Sequence, residues 1–139
     1  MNLWLLAGAT ASGLASVTHL LCIVGGEAWY RAVGAGERMA RAVASGEMRP
    51  HLVTAAIAVI LAVWALYALS GAGMIRRLPL LRPVLVGITA AYLIRAAALP
   101  IMLRLLPDRS PRFLVVSSIV VLAIGAIHAV GLAAASEAI

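Results

Sequence analysis

Four long apolar runs alternate with short polar segments along the chain, at about residues 3–24, 51–69, 83–103 and 113–135. Each holds about 19 to 23 residues, and roughly 20 are needed to cross ~30 Å of hydrocarbon at ~1.5 Å per residue. The pattern predicts four membrane spans. Pro50, Pro83 and Pro111 stand at or just before the first turn of spans two, three and four. There a missing N–H costs nothing, because it would be unpaired in any helix. The first run lacks a basic leader and is too long for the core of a signal peptide. Thr10, Ser12 and Ser16 inside it mark a packed span.

The connections differ in length and character. Residues 71–82 form a short loop, and residues 104–112 a shorter one built on Pro107-Asp108-Arg109-Ser110-Pro111, a turn signature. Residues 25–50 form the long one. Within it Met39, Ala42, Val43 and Gly46 follow helical spacing, interleaved with Glu37, Arg38, Arg41 and Glu47. This predicts a short amphipathic helix over 36–48 lying in the membrane interface. Trp29 and Tyr30, just before it, are interfacial anchors by type. The predicted fold class is all-α, an integral membrane four-helix bundle. It forms a single transmembrane domain, residues 1–139, with the interfacial helix between spans one and two. No internal repeat is evident.

Composition agrees with the pattern and narrows the function classes. Of the residues 64% are hydrophobic and 12% charged, with mean hydropathy +1.07. A soluble domain has roughly 45–50% apolar and about 25% charged residues. The single cysteine, Cys22, rules out an internal disulfide, a CxxC redox motif and a quinone-linked disulfide oxidoreductase. All eleven basic residues are Arg, against Glu27, Glu37, Glu47, Asp108 and Glu137, for a net charge of +6. Most of these Arg flank apolar runs, where the partners they favour are membrane lipids with anionic head groups. Nucleic acid is not an expected partner, because no polar segment is long enough to build a basic surface with stacking aromatics. An Arg-only, Ala-rich composition fits a GC-rich bacterial genome.

Let side A be the side of the N-terminus. It carries Arg76, Arg77 and Arg82, whereas side B carries Arg31, Arg38, Arg41, Arg49, Arg104, Arg109 and Arg112. The excess predicts that side B is cytoplasmic and both termini periplasmic, in a bacterial inner membrane.

Small residues predict close helix packing. Gly8, Ser12 and Ser16 recur every four residues in span one, and span four offers Ser117, Ser118, Gly125 and Gly131. In lipid such residues let backbones approach, and van der Waals contact drives association. An ionisable group at membrane depth costs at least ~2.5–3.5 kcal/mol on insertion scales and so needs a partner or a cavity. His19 shares the face of Ser12 and Ser16, and Glu27 follows about two turns on. Arg95 sits roughly 12 Å from side B by helical rise, with Tyr92 three residues before it on the same face. His51 opens span two on side B. The five converge on side B and admit two readings. One is an Arg95–Glu27 pair, with a hydrogen-bonded His19, that fixes helix register. The other is a polar cup that binds an anionic or polar lipid-like molecule. No metal is expected, since His19, His51 and Glu27 lack tight ligand spacing, and no cofactor motif is present. His128 is a secondary candidate about 10 Å from side A. Its depth differs from that of His19 by roughly 15 Å, too far for the two to share one haem. It reads as a packed bundle histidine or a proton relay.

The stretch from His19 to Trp29, with Gly34-Ala35-Gly36-Glu37-Arg38 after it, resembles small uncharacterised bacterial four-span integral membrane proteins. Those carry a histidine late in span one and a Glu and Trp after it. The resemblance implies the architecture and brings no activity with it. The size is also similar to the membrane-associated eicosanoid and glutathione metabolism proteins, but their charged glutathione-binding pattern on span two has no counterpart in the uncharged residues 52–69. Small multidrug transporters keep a Glu in mid span one, where this chain has Thr10 to Ser16.

The expected function is non-catalytic. It is a small polytopic protein that binds a lipid-like ligand or serves as a subunit of a homo-oligomer or larger membrane assembly. Two alternatives stand beside it. A membrane enzyme would use His19 and Glu27 as acid and base on a hydrophobic substrate, as isomerases do, but no nucleophile accompanies them. A small transporter would use Arg95 and Glu27, but broken mid-span helices and inverted repeats are absent from the sequence pattern.

Overall fold

Residues 1–135 are described by the computed structural model, and Glu137, counted in the charge balance above, lies outside them. Six helices and no strands occur among the described residues: α1 (Leu3–Ala32), α2 (Glu37–Ala44), α3 (Arg49–Gly71), α4 (Leu81–Ala97), α5 (Leu99–Leu105) and α6 (Pro111–Ala134). Helices α1, α3 and α6 are long and apolar enough to cross a membrane, and α4 with α5 counts as a fourth if that bent pair is one span. The chain is thus an all-α membrane protein. In the most apolar stretches of α1, α3 and α6 only 22% to 28% of residues are buried. Most of the apolar surface therefore faces outward, as it does when lipid rather than water surrounds a protein.

The helix ends follow local chemistry. Asn2 caps α1, its side-chain oxygen accepting from the Leu5 N–H. Ser110 caps α6 in the same way through the Phe113 N–H, and Pro111 follows at the first helical turn. Helix α2 is shorter than the expected 36–48. Gly46 adopts a positive φ of 82°, and the N–H groups of Gly46 and Glu47 fold back onto the carbonyls of Val43 and Ala42. Such a glycine turn terminates a helix.

Two breaks depart from the sequence expectation. The stretch 83–103 is not one straight helix, because α4 and α5 meet at a 55° bend. Pro100 has no N–H to offer the Ala96 carbonyl, and its ring crowds that group, so the helix cannot run straight through. Helix α1 continues past residue 24 to Ala32, but Gly26 inside it is non-helical at φ 64°, ψ −153°. That conformation is essentially restricted to glycine. A Cβ at Gly26 would meet nothing within 4 Å, so conformation rather than crowding selects the residue.

The main core is formed by α1, α3, α4 and α6. Packing is most extensive between α1 and α3, followed by α4 with α6 and α1 with α6. At end A, Leu5 is fully buried as a knob between two glycines. A Cβ at Gly71 would stand 2.9 Å from Leu5 Cδ1, and one at Gly131 would stand 2.8 Å from Leu5 Cγ. Asn2 ties the same end together. Its backbone N–H donates to Ala72 O (3.1 Å) and its side-chain NH₂ to Gly131 O (2.7 Å). The four-residue stripe of small residues on α1 meets three different helices. Gly8 faces His128 of α6, Ser12 Oγ lies 2.8 Å from Tyr92 Oη of α4, and Ser16 Oγ donates to Ala58 O of α3 at 2.7 Å.

A second, smaller core lies at end B. Cys22, Tyr30 and Ala40 are buried there, with Val33, Ala35, Met39 and Val43 packed around them. Helix α2 therefore turns its apolar stripe onto the protein's own α1 and α3, while Arg38 and Arg41 stay exposed. Tyr30 is not the interfacial anchor its residue type suggested. It is 1% exposed, because the break at Gly26 turns this last stretch of α1 onto the start of α3.

Candidate functional site

The six residues singled out in the sequence separate into five places. His19 is half-buried, and its Nδ1 donates to the Ala15 carbonyl of its own helix at 2.8 Å. Glu27 pairs with Arg31, which also holds Glu37 at 2.8 Å. His51 Nδ1 lies 3.2 Å from the Tyr30 hydroxyl, which itself donates to Thr54 Oγ1 at 3.0 Å. The expected pair of Arg95 with Glu27 does not form. Arg31, four residues from Glu27 on the same stretch of helix, takes that carboxylate instead, as i,i+4 neighbours do.

Tyr92 and His128, assigned to different depths in the sequence, come together. Their ring centroids are 5.3 Å apart, and Trp64 meets Tyr92 edge-on at 5.0 Å. His128 is fully buried, its imidazole lying against Gly8. Its Nδ1 is 2.9 Å from Ile124 O, which can only accept, so Nδ1 carries the proton. Nε2 then has a lone pair and no hydrogen-bond partner among the described residues. This layer, Ser12–Tyr92–Trp64–His128, joins all four long elements. It is dense: a Cβ at Gly8 would come within 2.6 Å of the imidazole.

Arg95 stands in the last turn of α4, just before the bend. It is shallower than a straight span would place it. The seven residues of α5 rise about 10 Å along their own axis, and a 55° bend projects that to roughly 6 Å along α4. Nη1 donates to Ser118 Oγ at 3.1 Å and Nη2 to Ser117 Oγ at 3.3 Å, both on α6. The Ser117 hydroxyl in turn donates a hydrogen bond to Leu114 O. The partners of Arg95 are thus neutral hydroxyls. Among the described residues Arg31 is the one arginine in a salt bridge. A guanidinium has five N–H donors, and two serve the serines.

The α1–α2 turn adjoins this cluster. The Phe113 ring lies on the backbone of Gly34, and a Cβ at Gly36 would stand 2.6 Å from Asp108 Oδ2 and 3.2 Å from Arg109 Cγ. A cleft of about 270 Å³ is lined there by Arg31, Gly34, Gly36, Glu37, Asp108 and Ser110. At end A an open depression of about 650 Å³ includes Asn2, Ser70 and Arg77 in its lining. There Asn2 is bonded to Gly131, and Ser70 to the backbone of Arg76 and Leu78.

Sequence reasoning missed Ser117 and Ser118 as the seats of Arg95. Adjacent serines early in an apolar run are the available signal, and in the sequence they read equally as packing residues. No three His, Cys, Asp or Glu side chains among the described residues are grouped to hold a metal ion. Comparison of the chain with family models, curated proteins and solved structures gives no match.

Proposed function

We propose that this is a four-span protein of a bacterial inner membrane that binds the anionic head group of a lipid-like molecule at Arg95 and performs no chemistry on it. The spans are α1, α3, α4 with α5, and α6. Helix α2 rests at the cytoplasmic interface. The architecture is that of the small four-span bacterial proteins the sequence resembles.

The observation that carries the reading is the state of Arg95, a half-buried cation near membrane depth whose partners are two neutral hydroxyls. A cation at the centre of a span costs about 2.5–3.5 kcal/mol on insertion scales, and less at the shallower depth of Arg95. The partial negative charge at the C-terminal end of α4 offsets only about 0.3–1 kcal/mol of that. An anion supplied by the membrane removes the remaining imbalance, and three guanidinium N–H groups are left to receive it. The acid–base alternative is weaker, because Glu27 is engaged by Arg31 and His19 by its own helix.

The test uses protein in nanodiscs of phosphatidylcholine doped with phosphatidylglycerol, with bound lipid counted by native mass spectrometry. Arg95→Gln is expected to lose the retained phosphatidylglycerol, while Arg104→Gln, an exposed arginine on α5, keeps it. Equal retention in Arg95→Gln and the parent protein overturns the proposal. Displacement by millimolar inorganic phosphate would assign the site to a soluble anion instead. The span count is tested separately by reporter fusions after Ile139, outside the described residues, and within residues 74–80. Both are expected to report the periplasm, and opposite readouts exclude four spans.

A further inference from the structure

We infer that residues 27–44 are a hinged strap, latched by Tyr30, that closes over the anion site and controls exchange of its occupant; this rests on the binding reading above. The hinge is Gly26, whose backbone conformation breaks α1 although nothing crowds its α-carbon. Everything beyond it as far as α3 is held by few contacts. One is the Tyr30 hydroxyl, which reaches across to Thr54 at 3.0 Å and His51 at 3.2 Å on the first turns of α3. Another is the small cluster in which Ala40 of α2 meets Cys22 and Tyr30. Arg31, bound to both Glu27 and Glu37, ties the end of α1 to the start of α2 across the turn.

The far side of the strap rests on the mouth of the site. Gly34 and Gly36 both have positive φ, 69° and 98°. Their bare backbones take the Phe113 ring and the Asp108–Arg109 pair. Phe113 lies about one turn before Ser117 on α6, so it sits just outside the serines that hold Arg95. Arg109 lies beside them, its stem under Gly36. An occupant of the site therefore cannot leave toward end B past Arg109 and Phe113 without displacing the strap. The two glycines let the strap lie flat there, where any side chain would hold it off.

The experiment follows amide hydrogen exchange of residues 27–44, and release of an acyl-labelled phosphatidylglycerol, in the same nanodiscs. Residues 27–44 are expected to exchange as one unit, faster than residues 3–25. Tyr30→Phe keeps the ring and loses the latch. It should speed both exchange and lipid release about fivefold, the population shift that one ordinary hydrogen bond controls. Gly34→Ala should do the same by lifting the strap off Phe113. Arg95→Gln leaves the strap's exchange in lipid-free detergent unchanged while abolishing lipid retention, so the two readings fail separately. Unchanged exchange of residues 27–44 in both strap variants overturns the strap, whatever Arg95→Gln does to lipid.

Discussion

Leu5 offers a quantitative test of how this core is held together. Its side chain is fully buried against Gly71 and Gly131. In a soluble core, Leu→Ala costs about 2–5 kcal/mol, part of it for lost transfer out of water and part for the cavity. Lipid removes most of the transfer part, since the unpacked side chain is equally at home among acyl chains. What remains is the cavity. If roughly 50–80 Å³ stays unfilled at ~24 cal/mol per Å³, Leu5→Ala costs about 1–2 kcal/mol. Gly131→Ala acts from the opposite side. Its Cβ would stand 2.8 Å from Leu5 Cγ, 3.0 Å from Leu5 Cδ2 and 3.0 Å from Leu5 N. Overpacking of that kind costs about 1–3 kcal/mol. In the double variant both side-chain clashes vanish and the new methyl occupies part of the cavity, leaving only the approach to the backbone nitrogen. The double variant should therefore fall short of the summed single effects by about 1 kcal/mol, within the range found for residues in contact. Unfolding by SDS in mixed micelles, followed by circular dichroism, measures all four proteins. Additivity within ~0.5 kcal/mol would refute the picture of a knob seated in glycine holes.

Two further outcomes follow from the polar contacts. Tyr92→Phe removes the partner of the buried Ser12 hydroxyl. It should cost about 0.5–1.5 kcal/mol in the same unfolding assay, the scale of hydrogen bonds between membrane helices. Adding Ser12→Ala should recover most of the loss, and no recovery would mean that the ring packing, not the bond, was lost. For Glu37, the hydrogen bond from Arg31 holds the carboxyl below its ordinary range, opposed by desolvation and aided by the charges of Arg31 and Arg41. A depressed carboxyl contributes stability that is present above its unfolded value and is lost as pH falls through the folded one. A spin label at residue 44 should therefore become more mobile as acid carries Glu37 through that depressed value. Glu37→Gln should be mobile at every pH, and a label insensitive to acid in the parent protein would contradict the assignment.

The sequence by itself determined the helical class, the apolar exterior and the starts of α1 and α6. Runs of apolar residues long enough for a bilayer can form little but helices, because every backbone N–H and C=O must be satisfied within its own segment. Asn2, Ser110 and Pro111 act through neighbours a few residues away, so their roles are written locally. The amphipathic stripe of α2 was legible for the same reason. The partners were not. Glu27 had Arg95 and Arg31 as candidate cations. Only the close i,i+4 approach of Arg31, together with the seating of α4 against α6, decided that Arg95 would face Ser117 and Ser118. Tyr92 and His128 lie 36 residues apart, and their stacking depends on how deep α4 sits beside α6. The bend at Pro100 could be anticipated, but its 55° angle follows from what α5 packs against. Gly26 is the clearest case. In the sequence it falls in the connection 25–50, outside the first apolar run, and only the packed structure showed it as the break that turns Tyr30 from the interface into a core. Local sequence sets which conformations are open to a residue, and the contacts made by distant segments select among them.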